Sequence, residues 1–101
     1  MVKIIIYTTL ILFLAGNVYA ENDVKQEIIK RCKSQMGEYG ASMVKACVDQ
    51  DIEAVIAISK YPDQYDSIVA RCMGQMQSYG FSMVKACADQ DIEAENALSN
   101  Y

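Results

Sequence analysis

The chain has 101 residues and a formal net charge of −4 at neutral pH, which limits it to a single small domain. The acidic balance argues against binding to nucleic acids or to anionic membrane surfaces. The sequence contains no histidine and no glycine-rich phosphate loop. We therefore do not expect an enzyme, and we expect neither a cofactor nor a bound metal ion.

The first twenty residues have the pattern of a cleaved secretory signal peptide. Lys3 supplies a positive start, residues 4–15 form an apolar run, and the letters NVYA end at Ala20 with a typical cleavage pattern. The apolar run is shorter than the about 18–20 residues that a membrane-spanning helix needs. We expect a periplasmic or secreted protein that begins at Glu21 and has no stable membrane insertion. A retained N-terminal anchor is the alternative.

The rest of the chain contains an internal repeat of about 40 residues. Residues 28–61 align with residues 68–101 without a gap, and 22 of the 34 positions are identical. The block YGASMVKACVDQDIEA begins at Tyr39, and YGFSMVKACADQDIEA begins at Tyr79, with 14 of 16 positions identical. We therefore predict one domain over residues 21–101, made of repeat 1 (24–61) and repeat 2 (64–101).

Apolar residues recur at helical spacing in four segments, which predict four helices. Each repeat contributes two of them, so the sequence predicts an all-α fold of two tandem helical hairpins. The hairpins would pack either as a small four-helix bundle or as a short helical-repeat array. The four apolar stripes are, in chain order, Val24, Ile28, Cys32, Met36 and Tyr39, with Ile29 beside them; Val44, Cys47, Val48, Ile52 and Val55; Tyr65, Ile68, Val69, Cys72, Met76 and Tyr79; and Val84, Cys87, Ala88, Ile92 and Leu98.

The turns carry their own signals. Gly40 and Gly80 follow the last apolar residues of the first and third helices, where a left-handed cap favours glycine. Ser42 and Ser82 stand where an N-cap hydroxyl would begin the next helix. Pro62 lies between the repeats and favours a turn into the third helix.

The four cysteines predict one disulfide in each hairpin. Cys32 lies eight residues before Gly40 and Cys47 lies seven after it, so the rise of about 1.5 Å per residue puts both at one level of the hairpin. Cys72 and Cys87 have the same relation to Gly80. We predict the pairs Cys32–Cys47 and Cys72–Cys87, each contributing about 3 kcal/mol to stability. The spacing is not a usual zinc pattern, and there is no C-x-x-C redox pair.

Two rows of polar residues are repeated without change. The plain interpretation is a solvated helix face, and the alternative is that both hairpins present this face to a protein partner. We expect Phe81, which replaces Ala41 of the first repeat, to be an exposed apolar anchor for such a partner. The candidate partner-binding residues of the rows are Lys45, Asp49 and Glu53 in repeat 1, and Lys85, Asp89 and Glu93 in repeat 2.

Asp51 and Asp91 fall in the middle of the apolar stripes, where an unpaired carboxylate would be costly to bury. Arg31 and Arg71 lie on the neighbouring helix at a height that allows pairing across each hairpin. We predict the ion pairs Arg31–Asp51 and Arg71–Asp91. The alternative is a cleft in which the two aspartates face each other and share a proton or a cation. The DQDIE strings lack the central glycine and final glutamate of a calcium loop.

Methionines and tyrosines lie near both turns, and we expect the methionines to fill the core, with a binding surface as the alternative. The chain as a whole predicts a small exported, non-enzymatic module that binds another exported protein, as an inhibitor, an immunity-type protein or an assembly factor. Alternatives are a carrier of an apolar ligand or lipid between the hairpins, and a purely structural envelope or secreted protein. The repeat would also permit a homodimer by exchange of hairpins. The residues near the turns are Met36, Tyr39, Met43, Met76, Tyr79 and Met83.

Overall fold

The computed structural model describes residues 22–101, and the predicted signal peptide, residues 1–20, lies outside this range. Within it the chain forms four α-helices and no strand, which confirms the all-α prediction. None of these helices combines the length and the apolar character needed to cross a membrane. The helices are α1 (22–36), α2 (Ala41–Ser59), α3 (Asp66–Met76) and α4 (Phe81–Leu98).

Each hairpin turns through a short 3-10 segment followed by one glycine. Gly37–Tyr39 leads to Gly40, and Gln77–Tyr79 leads to Gly80. The two glycines have φ angles of 103° and 115°, positive as predicted, but their ψ angles of 165° and 157° make them extended rather than left-handed helical. Because the next helix begins at the residue after each glycine, one residue ends the turn and also occupies the N-cap position.

The predicted N-caps at Ser42 and Ser82 are wrong. Both serines lie in the first turn of their helices, one residue beyond the first helical position. The N-cap residues are Gly40 and Gly80, which have no side chain to satisfy the first N–H groups. The donors at the start of α4 therefore need another acceptor, and the first hairpin supplies it, as described below.

Both predicted disulfides are confirmed. Cys32 is bonded to Cys47 and Cys72 to Cys87, with Cα–Cα distances of 5.8 and 5.7 Å. These distances lie in the usual range for a disulfide between two backbones that need no distortion. Each bond closes one hairpin on itself, so no covalent crosslink joins hairpin 1 to hairpin 2.

One continuous core joins the hairpins. Helix α4 packs against α3 within its own hairpin and against α2 of the first hairpin. Val84 and Ala88, on α4, are completely buried. Helix α4 therefore packs hairpin 2 on hairpin 1. The buried apolar residues are Ile28, Cys32, Ala54, Ile68, Cys72, Phe81, Val84 and Ala88.

Candidate functional site

The contact between the hairpins is centred on the carboxylate of Asp51, which is only 3 % exposed. Its Oδ2 accepts hydrogen bonds from Nη2 of Arg31 and, at 3.0 Å, from the backbone N–H of Phe81. Its Oδ1 accepts from the backbone N–H of Ser82 at 3.3 Å. Asp51 therefore caps the N-terminus of α4 from the opposite hairpin, and its negative charge faces the positive end of the helix dipole.

The second turn lies directly against this ion pair. A Cβ atom placed on Gly80 would lie 3.0 Å from Nη1 of Arg31 and 3.2 Å from Oδ1 of Asp51. Burial lowers the pKa of the Arg31 guanidinium. The absence of a side chain at Gly80 thus lets the backbone approach the Arg31–Asp51 pair closely enough for the two amides to reach it.

Arg71 and Asp91 are also brought together in hairpin 2, but their surroundings differ. Their side chains are 55 % and 40 % exposed, and within residues 22–101 no backbone N–H reaches Asp91. Each aspartate is therefore paired with its own arginine, rather than with the other aspartate across a cleft. Asp91 also lies near Cys72 and Cys87. Those two sulfur atoms are joined in the disulfide and are not the thiolates that bind metals.

A second polar contact across the junction uses a residue of the predicted partner face. Tyr61 lies just after α2, and its hydroxyl donates a hydrogen bond to Asp89 on α4. Burial, together with the hydrogen bond to Asp89 and its negative charge, raises the pKa of Tyr61 to about 12. Burial also raises the pKa of Asp89, but hydrogen bonds from Lys85 and Tyr61 and the charge of Lys85 outweigh it, so the pKa lies below its usual value.

The two repeated polar rows are consequently not equivalent. Lys45 Nζ donates to Asp49 Oδ2 at 2.6 Å, and both side chains project into solvent. That hydrogen bond and the charge of Asp49 raise the pKa of Lys45. In hairpin 2 the Lys85–Asp89 distance is 2.7 Å, but Asp89 is also bonded to Tyr61. The last members, Glu53 and Glu93, are exposed in both rows.

The expectation that Phe81 is an exposed anchor is wrong. Its side chain is 8 % exposed and belongs to the core. It lines the groove between α1 and the second turn together with Ile28. Because Phe81 is the first residue of α4 and Asp51 holds that end of the helix against hairpin 1, the ring is buried at the junction. Sequence spacing places it beside a turn, and only the packing of two hairpins decides that this turn is covered.

A repeated apolar surface is exposed instead. Tyr39 and Met43 are 65 % and 46 % exposed, and their counterparts Tyr79 and Met83 are 65 % and 44 % exposed. We call these four residues the Tyr–Met surface. The core role expected for the methionines is therefore wrong for Met43 and Met83, whereas Met36 and Met76 are half-buried. Comparison with protein-family models, curated proteins and solved structures finds no match to the chain.

Proposed function

We propose that the protein is exported and acts outside the cytoplasm as a small, non-enzymatic module that binds another exported protein. Two features support the export. The first twenty residues have the pattern of a signal peptide. All four cysteines are joined in disulfides, which persist in oxidising compartments and are rare in the cytosol.

The observation that carries the binding proposal is the exposure of the Tyr–Met surface. A tyrosine and a methionine flank each turn, and the two turns expose them to nearly the same extent. Large apolar side chains of this kind contribute most of the binding energy when a partner covers them. Methionine adapts its shape to a partner, and tyrosine adds a hydroxyl for a hydrogen bond. The surface is therefore suited to two similar apolar contacts with one protein.

The acidic charge of the chain supports a basic partner. The chain has a net charge of −4, and Glu53 and Glu93 are exposed without a salt bridge in the described residues. Opposite charges at the rim of an interface accelerate and orient association. We propose a partner whose contact patch has aliphatic or aromatic side chains at its centre and lysine or arginine at its rim.

The composition supports a role without catalysis. The chain has no histidine, and disulfide bonding leaves none of the four cysteines as a thiol nucleophile. The carrier alternative stays a prediction. Within residues 22–101, Phe81, Val84 and Ala88 are buried in the core that the two hairpins share.

The experiment begins with the exported fraction of the native host. The oxidised protein is used to capture a partner, and the affinity of that purified partner is then measured for designed variants. Met43→Ser/Met83→Ser should weaken binding about tenfold or more, because each change removes apolar surface that the partner would bury. Lys45→Glu/Lys85→Glu should change the affinity less and should strengthen binding, because it adds negative charge opposite the basic rim of the partner.

The charge-matched control is Lys25→Glu/Lys33→Glu, which changes two exposed lysines of α1. It should bind like the wild type. Equal affinity of the partner for the wild type and for Met43→Ser/Met83→Ser would refute the Tyr–Met surface as the binding site. The mass of the exported chain tests the other half of the proposal, because cleavage after Ala20 predicts an N-terminus at Glu21.

A further inference from the structure

The contact between the two hairpins joins one surface of hairpin 1 to a different surface of hairpin 2. Because of the repeat, each hairpin has a counterpart of both surfaces. Hairpin 1 contributes a receiving face: Arg31, Asp51, Ala54, Ile58 and Tyr61. Hairpin 2 contributes a docking face: Gly80, Phe81, Ser82, Val84 and Asp89. Moving 40 residues along the sequence converts each of these residues into its counterpart on the other hairpin. The chain therefore has a second receiving face on hairpin 2 and a second docking face on hairpin 1.

The second receiving face is free and already assembled. Its ion pair, Arg71–Asp91, forms just as Arg31–Asp51 does, but it is open to solvent. Leu98, the counterpart of Ile58, is 64 % exposed, and Tyr101, the counterpart of Tyr61, is fully exposed. The remaining member, Ala94, lines the same groove as Asp91 and Leu98.

The backbone positions the second tyrosine like the first. The N–H of Tyr61 donates to the carbonyl of Ile58 at 3.2 Å, and the N–H of Tyr101 donates to the carbonyl of Leu98 at 3.3 Å. The preceding residues repeat the pattern, with Lys60 bonded to Ala57 and Asn100 to Ala97, each at 3.1 Å. Tyr101 is thus positioned to donate to an aspartate as Tyr61 does to Asp89.

The second docking face, on hairpin 1, is uncovered too. Nothing lies within 4 Å of a Cβ placed on Gly40, whereas its counterpart Gly80 is pressed against Arg31. Val44 is only half-buried, whereas its counterpart Val84 is completely buried. The glycine has the same extended, positive-φ conformation in both turns. The first N–H groups of α2 therefore have no side-chain cap, as those of α4 would have none without Asp51.

We propose that the protein associates head-to-tail with a second copy of itself, the docking face of hairpin 1 on one copy covering the receiving face of hairpin 2 on the other. In this contact the backbone amides of Ala41 and Ser42 of the first copy donate to Asp91 of the second copy. Tyr101 of the second copy donates to Asp49 of the first. The contact reproduces the existing hairpin junction and continues the array between molecules. It goes beyond the proposed binding function and does not use the Tyr–Met surface. Head-to-tail contacts give rings if the rotation closes and open chains if it does not.

One substitution weakens the intermolecular contact relative to the junction within the chain. Phe81 is buried at the junction, and its counterpart is Ala41. The second copy therefore docks with a smaller apolar contact and without a covalent connection. We expect association that depends on concentration, and Ala41→Phe should tighten it about tenfold or more by restoring the ring.

The first test is sedimentation equilibrium of the oxidised protein, produced by export of the full chain, over a range of concentrations. The wild type should exceed the monomer mass at the highest concentrations, and Ala41→Phe should do so at concentrations about tenfold lower. Leu98→Asp should remain a monomer, because it replaces an exposed apolar side chain of the receiving face by a second carboxylate in the groove that contains Asp91. Gln26→Phe, which adds the same ring to an exposed position of α1, should behave like the wild type. Monomeric behaviour of both the wild type and Ala41→Phe would overturn the proposal.

The second test distinguishes head-to-tail contact from a symmetric dimer. Ala41→Phe/Leu98→Asp has a strong docking face and a blocked receiving face, whereas Ala41→Asp has a blocked docking face and an intact receiving face. Each should be a monomer alone, and their mixture should form a dimer that grows no further. A dimer of Ala41→Phe/Leu98→Asp by itself would overturn the proposal and point to exchange of hairpins. Met43→Ser/Met83→Ser should associate like the wild type, which separates this result from that of the partner-binding experiment.

Discussion

At the scale of single residues, the same sequence has different consequences in the two repeats. Asp51 and Asp91 occupy equivalent positions and both pair with an arginine. Only Asp51 also receives two backbone N–H groups, because only hairpin 1 is covered by the start of another helix. The burial of a carboxylate is tolerated where its lone pairs find donors, and Asp51 has three of them.

We therefore expect Asp51→Ala and Asp91→Ala to differ widely in their effect on stability. Asp51→Ala should lower the free energy of unfolding by about 3–5 kcal/mol, because it leaves a largely buried guanidinium and two helix N–H groups without their acceptor. Asp91→Ala removes an exposed pair and should lower it by about 1 kcal/mol or less. Urea unfolding of the oxidised variants measures both values. Similar losses of stability in the two variants would contradict the capping of α4 by Asp51 of the opposite hairpin.

The two turn glycines provide a second matched pair. Gly40→Ala should lower the free energy of unfolding by about 1–3 kcal/mol, because φ near 103° with an extended ψ is accessible almost only to glycine. Gly80→Ala has the same backbone strain and also a clash with Arg31. It should therefore lower the free energy of unfolding by about 1 kcal/mol more than Gly40→Ala does. Thermal unfolding of the two variants tests the difference. Equal losses would show that the turn does not press on the ion pair.

The candidate site was only partly predictable from residues. Arg31 and Asp51 lie at similar distances before and after the hairpin turn at Gly40. This spacing predicts that their side chains are at the same height of the hairpin, and the structure brings them together. The bond from Asp51 to the amides of α4 could not be predicted, because it depends on how one hairpin packs on the other. The same gap explains the error about Phe81, whose sequence neighbours do not reveal whether its turn is covered.

At the scale of elements, the helical periodicity of each repeat was sufficient to predict four helices and their pairing by disulfides. The level of Cys32 and Cys47 follows from helix rise alone and needs no knowledge of tertiary packing. The helix starts were less predictable. Ser42 and Ser82 have the right side chains for N-caps, but each helix has an extended glycine as its N-cap and begins two residues earlier than a serine cap would allow.

Tyr61, in the segment after α2, makes the stability of the contact between the hairpins depend on pH. Because the pKa of Tyr61 is raised from near 10 to about 12 in the folded protein, the folded state holds this proton more tightly than the unfolded chain does. The stability from the Tyr61–Asp89 bond is therefore complete below pH about 10 and is lost as the pH rises toward 12. Tyrosinate absorbance should reveal the late titration of Tyr61 in the wild type.

Tyr61→Phe keeps the ring and removes the hydroxyl, so it is the matched variant for this titration. It should lack the late-titrating phenol, and its stability should fall less steeply between pH 10 and 12 than that of the wild type. If the late phenol persists in Tyr61→Phe, another tyrosine has the raised pKa and the assignment to the junction is wrong.

At the scale of the whole molecule, the two hairpins share one apolar core, which lies beside the buried contact of Asp51 with the start of α4. Phe81 supplies the largest apolar side chain of that core. Phe81→Ala should lower the free energy of unfolding by about 3–5 kcal/mol, because it leaves a cavity at the junction. Met83→Ala, on the same helix but 44 % exposed, should have a much smaller effect. Differential scanning calorimetry compares the Tm of the two variants. Equal decreases in Tm would contradict the role of Phe81 in packing the junction.

The position of each disulfide inside its own hairpin has a consequence for the order of oxidative folding. Native partners are 15 residues apart, whereas Cys47 and Cys72 of different hairpins are separated by 25. The shorter loop is favoured by about 0.5 kcal/mol from chain entropy alone, and helical hairpin formation adds to that preference. In a chain that enters an oxidising compartment N-terminus first, Cys32 and Cys47 meet before Cys72 arrives. In such a chain, pairing in the order of arrival gives the native disulfides, and no bond already made has to be rearranged.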